Sequence, residues 1–256
     1  MTEAEARASL RAAGVPDPAR DAQVLARAAP DAATFAEWIA RRSAREPVSH
    51  ILGRRAFWNH EFRVTGDVLD PRPETETLVE HALAAPFDRV LDLGTGSGCI
   101  LLSLLAERPK ASGLGTDLSE AALDVARGNA AALGLAERAA FWQAYWLTGI
   151  DETFDLVVSN PPYIAAAEMP GLAPELRRWE PGLALSPGGD GLDAYRTITR
   201  DVPAHLAPGG RLMVEIGATQ AAAVTALFAA AGLTNIGVHP DLDGRDRVVS
   251  GEKAAM

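Results

Sequence analysis

Val90-Leu91-Asp92-Leu93-Gly94-Thr95-Gly96-Ser97-Gly98-Cys99-Ile100-Leu101-Leu102 decides the fold. A short apolar run, a loop with glycine at every second position and a leucine-rich run read as a buried parallel strand, a tight turn and a helix. Glycines at 94, 96 and 98 allow positive φ and close approach of backbone to a ligand. The spacing is G-x-G-x-G, whereas a dinucleotide fingerprint needs G-x-G-x-x-G, so the third glycine comes one residue early. The next run, Leu114-Gly115-Thr116-Asp117, ends in an acid, which can accept both hydroxyls of a ribose.

Working outward, Ser119 reads as the cap of a helix with Glu120 in its first turn and Leu123, Ala126 and Leu133 on its inner face. A third strand spans Ala139 to Gln143, followed by Ala144-Tyr145-Trp146. An aromatic at that point can stack on adenine or pack in the core, and Tyr145 is the better candidate for stacking. With no pyrophosphate to hold, this arrangement suits S-adenosylmethionine better than NAD. The candidate cofactor residues are Gly94, Thr95, Gly96, Ser97, Gly98, Asp117, Tyr145 and Asn160.

The chemistry centres on Ser159-Asn160-Pro161-Pro162-Tyr163, which follows the apolar run Phe154-Asp155-Leu156-Val157-Val158. Two prolines fix their own φ and donate no hydrogen bond, and each pushes its predecessor toward extended geometry. The strand therefore ends in a stiff spur with bare carbonyls, an amide side chain at its start and an aromatic ring at its end. Ligands of open α/β sheets bind outside the carboxyl ends of the strands. Asn160, Pro161 and Tyr163 are the candidate catalytic residues, and Asn160, Pro161, Pro162 and Tyr163 the candidate substrate-binding set.

The 256 residues suit a large domain plus a small one, and an apolar fraction of 48% is ample for a core. No apolar run reaches membrane-spanning length, and Met1-Thr2-Glu3-Ala4-Glu5 is acidic, without a signal-peptide core, so a cytoplasmic enzyme is expected. One cysteine, Cys99, fits a reducing compartment and reads as a buried filler. The five histidines show no ligand spacing, so no metal is expected. The net charge of −10 is uneven: residues 1–60 hold nine Arg against seven Asp or Glu, and the remainder 15 basic against 27 acidic residues. An acidic body does not suit unaided grip on nucleic acid, but would suit a basic protein partner.

Residues 1–56 read as a helical docking domain, with apolar stripes at Ala6/Leu10/Ala13, Val24/Leu25/Ala28 and Phe35/Trp38/Ile39. Arg41, Arg42 and Arg45 fall at the third helix's C-terminal end, where they either complement its dipole or meet a partner. Residues 57–76 read as a linker, with a hairpin whose strands flank a turn at Gly66-Asp67, then Pro71-Arg72-Pro73-Glu74-Thr75-Glu76. That segment either starts a helix or covers the cofactor with Arg72, Glu74 or Glu76. Residues 77–256 form the catalytic domain, in which the Pro- and Gly-rich stretch 165–193 reads as a long loop at the substrate lip, Pro208-Gly209-Gly210 as a turn, and Ile236–His239 with Arg247–Ser250 as closing strands.

The whole chain resembles the release factor glutamine methyltransferase family. The residues that carry the resemblance are His50-Ile51-Leu52-Gly53, Phe57, Pro71 to Glu76, Asp92 to Gly98, Asp117, Asn160 to Tyr163, Glu180-Pro181, Asp190-Gly191-Leu192, Tyr195 and Gly244-Arg245-Asp246-Arg247. Asn-Pro-Pro-Tyr is shared with amino-methyltransferases of nucleic acid bases; its combination with Pro-Arg-Pro-Glu-Thr-Glu is specific. The resemblance implies an α/β, Rossmann-like class I S-adenosylmethionine-dependent methyltransferase sheet of seven strands with a reversed last hairpin and a small N-terminal helical domain. It implies methylation of the glutamine in the Gly-Gly-Gln loop of class I peptide chain release factors, with the helical domain helping to dock them and no membrane involved. This sequence departs from the family pattern in a shorter N-terminal region, in Asp70 before Pro71, and in Ala144, where the family often carries an acid near the adenine amino group.

An amide nitrogen is a poor nucleophile because its lone pair is delocalised. Asn160 would accept one N–H through its side-chain oxygen, the Pro161 carbonyl would accept the other, and Tyr163 would set the amide plane. Two readings compete: methylation of an exocyclic amine on DNA or RNA bases, with a flipped base on Tyr163, and a cofactor-binding scaffold without turnover.

Overall fold

Every residue of Val90–Leu93 is buried, which places that run inside a sheet covered on both faces. In the computed structural model, which describes residues 1–255, it is the core of β3 (Arg89–Leu93). Helices α1 (Glu3–Ala12), α2 (Pro18–Ala28), α3 (Ala32–Ser43) and α4 (Val48–Leu52) come first. A hairpin follows, β1 (Arg54–Phe57) and β2 (His60–Arg63). The rest alternates: α5 (Glu76–Leu83), β3, α6 (Cys99–Glu107), β4 (Ser112–Asp117), α7 (Glu120–Ala132), β5 (Ala139–Gln143), β6 (Phe154–Ser159), α8 (Pro174–Trp179), α9 (Gly182–Leu185), α10 (Asp193–His205), β7 (Leu206–Glu215), α11 (Ala221–Ala230), β8 (Thr234–Pro240) and β9 (Asp246–Glu252).

The sheet runs β5-β4-β3-β6-β7-β9-β8. Its strands are parallel except that β9 is antiparallel to both β7 and β8, the reversed last hairpin. Alternate residues divide between two cores. Val90, Leu156 and Val158 face α5, α6 and α7, while Leu91, Leu93 and Val157 face α10 and α11. The chain builds outward from β3 through β4 to β5, then returns to lay β6 on the other side of β3. Leu93 pairs laterally with Ser159, so the glycine loop and the Asn-Pro-Pro spur leave the sheet side by side. This is the switch point at which open α/β sheets bind ligands.

The first helices have their own core of Ala6, Leu10, Val15, Ala22, Leu25, Phe35, Ile39 and Ile51. Thr2, Asp17 and Asp31 cap α1, α2 and α3 through their side chains. Arg41 and Arg42 do fall in the last turn of α3, and the cluster also makes ion pairs within the chain. Arg42 donates to Asp21 (2.7 Å) on α2 and to Glu175 (3.0 Å) on α8, and Arg45 donates to both oxygens of Glu175 at 2.7 Å. Arg42 and Arg45 staple the N-terminal helices to the 165–193 segment, while Arg41 pairs with Glu46. Burial pushes the Glu175 carboxyl up, but the two guanidiniums hold it below the usual range.

Three sequence expectations are corrected. The hairpin turns at Trp58-Asn59 rather than Gly66-Asp67, and its first strand begins at Arg54, inside the residues assigned to the helical domain. Trp58 holds the turn with φ +52° because its N–H donates to Glu76 (2.8 Å) and its indole N–H to Glu107 (2.9 Å). Pro208-Gly209-Gly210 lies inside β7, as an irregularity against Phe154, because Gly209 N–H donates to Lys253 and Lys253 N–H to Gly210. The stretch 165–193 is shaped by α8 and α9 rather than an open loop.

Candidate active site

The glycine loop leaves β3 with Gly94, Gly96 and Gly98 at φ +71°, +54° and +78°. Most of its amides are used internally. Gly94 and Thr95 donate to the Thr116 carbonyl, Gly98 to Thr95, and Gly96 to Asp117 Oδ2 at 2.9 Å. A loop that has spent these donors is ill suited to a pyrophosphate, which needs several free N–H groups. A Cβ at Gly96 would meet nothing within 4 Å, so this backbone borders open space. Asp117 also accepts from Ser119 N–H (2.9 Å), which aims its carboxylate into the same space. Each oxygen keeps a lone pair for a ribose hydroxyl.

That space is a cavity of about 380 Å³ between the two loops. Gly94, Thr95, Gly96, Ser97, Asp117, Tyr145, Asn160 and Pro162 line it. Gly98 does not: it is the N-cap of α6, where a Cβ would press on Ala126 and Leu102 at 3.2 Å. Tyr145 stands 57% exposed at the rim with Leu118 at 52%, giving two apolar faces near Asp117. Trp146 lines the cavity too, while packing against the α10 side of the core. Ala144 presents a methyl group to the wall and donates its N–H to the Asp117 carbonyl (3.0 Å). The donor set therefore fits a nucleoside bearing a thioether or sulfonium chain: a carboxylate for the diol, apolar faces for the base, and no phosphate cradle.

Asp92 is wholly buried below the loop. It accepts from Thr95 Oγ1 (2.7 Å), and its other oxygen has no partner among the described residues. Burial pushes its carboxyl up to about 7, although Thr95 and the Leu101 N–H pull it down. Cys99 is buried at the start of α6, and burial raises its thiol to about 12, which suits packing rather than attack.

On the spur, Asn160 faces the cavity, Pro161 is buried and Tyr163 is half-buried. Pro161 and Tyr163 do not line the cavity beside the glycine loop. Among the described residues nothing donates to the Asn160 side-chain oxygen or to the Pro161 carbonyl. The Tyr163 hydroxyl lies 3.4 Å from Glu215 Oε1, and its carbonyl accepts from Gln220 Nε2 (2.9 Å). Burial raises the Tyr163 phenol above its usual range, so it stays protonated. Tyr195 also supports this end by donating to the Glu215 carbonyl (2.9 Å).

Pattern reading missed Thr75 and Glu215. Thr75 Oγ1 donates to Glu215 Oε2 at 2.6 Å and accepts from Asn160 Nδ2 at 3.2 Å. Of the three residues considered as a cover, Arg72 lines the cavity, while Glu76 instead anchors the Trp58 turn. Arg72 donates to Glu180 (3.0 Å), which also accepts the Asp70 N–H (3.0 Å). Glu180 thereby binds the Pro-Arg-Pro segment to α8 and α9, and Pro71, Arg72, Pro181, Leu183 and Ala184 close one side of the cavity. Asp70 itself is buried with Arg55 Nη1 at 3.9 Å. No signal in the sequence marks the Glu180 and Glu215 pairings, because the carboxylates lie more than 100 residues from Asp70, Arg72 and Thr75.

The methyltransferase small domain family matches residues 66–176, which include the glycine loop, Asp117 and the spur. A release factor glutamine methyltransferase of Cereibacter sphaeroides is 59% identical over 94% of this chain and 93% of its own length. One of Rhodospirillum rubrum is 47% identical over 96% of this chain and 82% of its own. Among solved structures, a methyltransferase from Pyrococcus furiosus superposes with a TM-score of 0.59 at 14% identity, covering 78% of this chain and 91% of that one, a likeness of fold.

Proposed function

Because this chain belongs to the release factor glutamine methyltransferase family, we propose that its spur receives the side-chain amide of a glutamine in the Gly-Gly-Gln loop of class I release factors and directs methylation to the N5 nitrogen. The chain is an enzyme whose cofactor is S-adenosylmethionine. The observation that carries the reading is the pair of unused acceptors, Asn160 Oδ1 and the Pro161 carbonyl, beside a cavity lined by Gly94–Ser97 and Asp117.

When bound, S-adenosylmethionine supplies an electrophilic methyl group on a positively charged sulfur. Gly94, Thr95, Gly96 and Ser97 would hold its chain, Asp117 its ribose, and Leu118 and Tyr145 its adenine. Asn160 Oδ1 accepts one N–H of the glutamine amide and the Pro161 carbonyl the other. With both hydrogens held on the spur side, the nitrogen lone pair is turned out of conjugation toward the methyl donor. Pro162 stiffens this arrangement because it fixes its own φ and has no N–H. The Tyr163 ring, anchored through its hydroxyl, sets the plane in which the amide lies. No base is needed beforehand, since the nitrogen sheds its proton after it gains the methyl group. Alignment of this kind can supply up to about 7–11 kcal/mol of the barrier.

The finer assignments follow from the same reading. Helices α1 to α4 form the docking surface for the factor, and the β1–β2 hairpin with the Pro-Arg-Pro segment links them to the sheet. The 165–193 segment is the substrate lip. The enzyme works in the cytoplasm on a protein substrate without gripping nucleic acid, in keeping with an acidic catalytic body. Asn160→Ala is expected to lower kcat by about a hundredfold or more, comparable to losing a catalytic hydrogen-bonding group, and to leave cofactor affinity by calorimetry within about tenfold. Turnover of that variant at the wild-type rate overturns the mechanism.

A further inference from the structure

An asparagine can present either end of its amide, and only one end serves the proposed chemistry. The oxygen accepts a substrate N–H; the NH2 group would repel it. What fixes the end is the neighbour of Asn160, not Asn160 itself. Thr75 has one proton to give, and Glu215 Oε2 takes it at 2.6 Å. The Thr75 oxygen can then only accept, so the side-chain atom of Asn160 at 3.2 Å is Nδ2. Asn160 Oδ1 is left facing the cavity. Thr75 and Glu215 are both 2% exposed, so water does not compete for either bond.

Resting on the functional reading above, we infer that Thr75 and Glu215 are positioning residues that polarise a one-way hydrogen-bond chain, Asn160 to Thr75 to Glu215, and thereby hold the Asn160 carbonyl toward the glutamine amide. The same chain would select glutamine over glutamate. A fixed carbonyl rejects a carboxylate, whereas an amide free to turn would offer it an N–H.

The direction of the chain depends on the charge of Glu215. Facing that carboxylate are Thr75 from the turn before α5, Tyr163 from the spur and Arg247 from β9, with the Glu74, Cys99 and Tyr195 side chains nearby. Burial pushes Glu215 up to about 7, with Thr75 and Arg247 pulling it down and Glu74 adding to the rise. Once protonated, Glu215 can donate to Thr75, Thr75 can donate to Asn160 Oδ1, and the amide presents its wrong end. Turnover should therefore fall with decreasing pH through this titration.

The test uses the full chain with an unmethylated release factor. Thr75→Val removes the hydroxyl at nearly constant shape, Thr75→Ala is a second route to the same loss if the valine packs poorly, and Thr75→Ser restores the hydroxyl. Expected for Val or Ala is a fall in kcat of about thirtyfold or more, with cofactor affinity within about twofold and a weaker preference for the glutamine factor over its Gln→Glu counterpart as inhibitor. The acid limb of kcat should disappear in Val or Ala and persist in Ser, whose turnover should return to within about threefold of wild type. If Thr75→Val or Thr75→Ala turns over like wild type, with the acid limb intact, while Asn160→Ala is inactive, the inference fails and the functional reading stands. If Asn160→Ala is itself fully active, both fail.

Discussion

At the residue scale two buried carboxyls lie beneath the site, Asp92 below the glycine loop and Glu215 below the spur, both pushed up to about 7 by burial. A folded-state value above the unfolded one means that the native state binds the proton more tightly. Such a group's stabilising contribution is present at low pH and lost as pH rises from about 4.5 to 7. Glu215→Gln removes this dependence. The stability of wild type relative to Glu215→Gln should therefore decline between pH 5 and pH 8 by on the order of 3 kcal/mol, measured by urea unfolding at each pH. A pH-independent difference would show that Glu215 ionises at an ordinary carboxylate value. The placement of Asn160, Asp117, Gly94 and Gly96 on the cavity wall was legible in the sequence because each sits at a fixed step from a strand end, whereas Gly98 turned out to lie off it. Thr75 was not, since its role comes from a carboxylate 140 residues away.

At the element scale, β3 and β6 make the site by lying next to one another, and the surrounding segments brace what leaves them. Asn129 on α7 accepts from Arg63 N–H (2.8 Å) and donates to the Arg63 and Ser97 carbonyls (3.0 and 2.9 Å), joining the hairpin to the glycine loop. Gly191 does the equivalent for the spur. Its φ is +81°, and a Cβ there would collide with the Tyr163 carbonyl. Gly191→Ala is expected to displace Tyr163 and lower kcat by about tenfold or more, because small misplacements are costly to aligned reactions. It should destabilise the fold by about 1–3 kcal/mol. A variant with wild-type turnover and melting temperature would mean that the spur does not depend on this support. Strand and helix positions were readable because buried runs and caps are local. The hairpin was misplaced because Trp58 adopts positive φ through bonds to Glu76 and Glu107, which no local pattern announces.

At the scale of the whole molecule, the N-terminal helices and the catalytic sheet meet through charge rather than a shared apolar core. The helices keep their own core, and Glu175 on α8 takes both Arg42 and Arg45. Removing Glu175 leaves the nearly buried Arg42 with one carboxylate, Asp21, and the Glu46 carbonyl. Glu175→Ala should cost about 2–3 kcal/mol, the penalty for unpairing a buried hydrogen-bonded charge. It should also speed proteolysis within 165–193 and raise KM for the release factor more than it lowers kcat. Unchanged proteolysis and KM would mean that the two parts hold their arrangement without the staple. The separate apolar core of the first helices was visible in the shift from helical stripes to strand–loop–helix repeats. The joint was not, because its partners are separated by 130 residues or more.

The central claim is that the spur receives a glutamine amide. It is tested most directly by incubating the full chain with S-adenosylmethionine and an unmethylated class I release factor, then locating the modification by peptide mass spectrometry, with the Gln→Glu factor and duplex DNA in parallel. The account predicts one added methyl group, on the glutamine of the Gly-Gly-Gln peptide, and none on either control. Methyl incorporation into the DNA with none on the factor, or no transfer to any of the three, would contradict it.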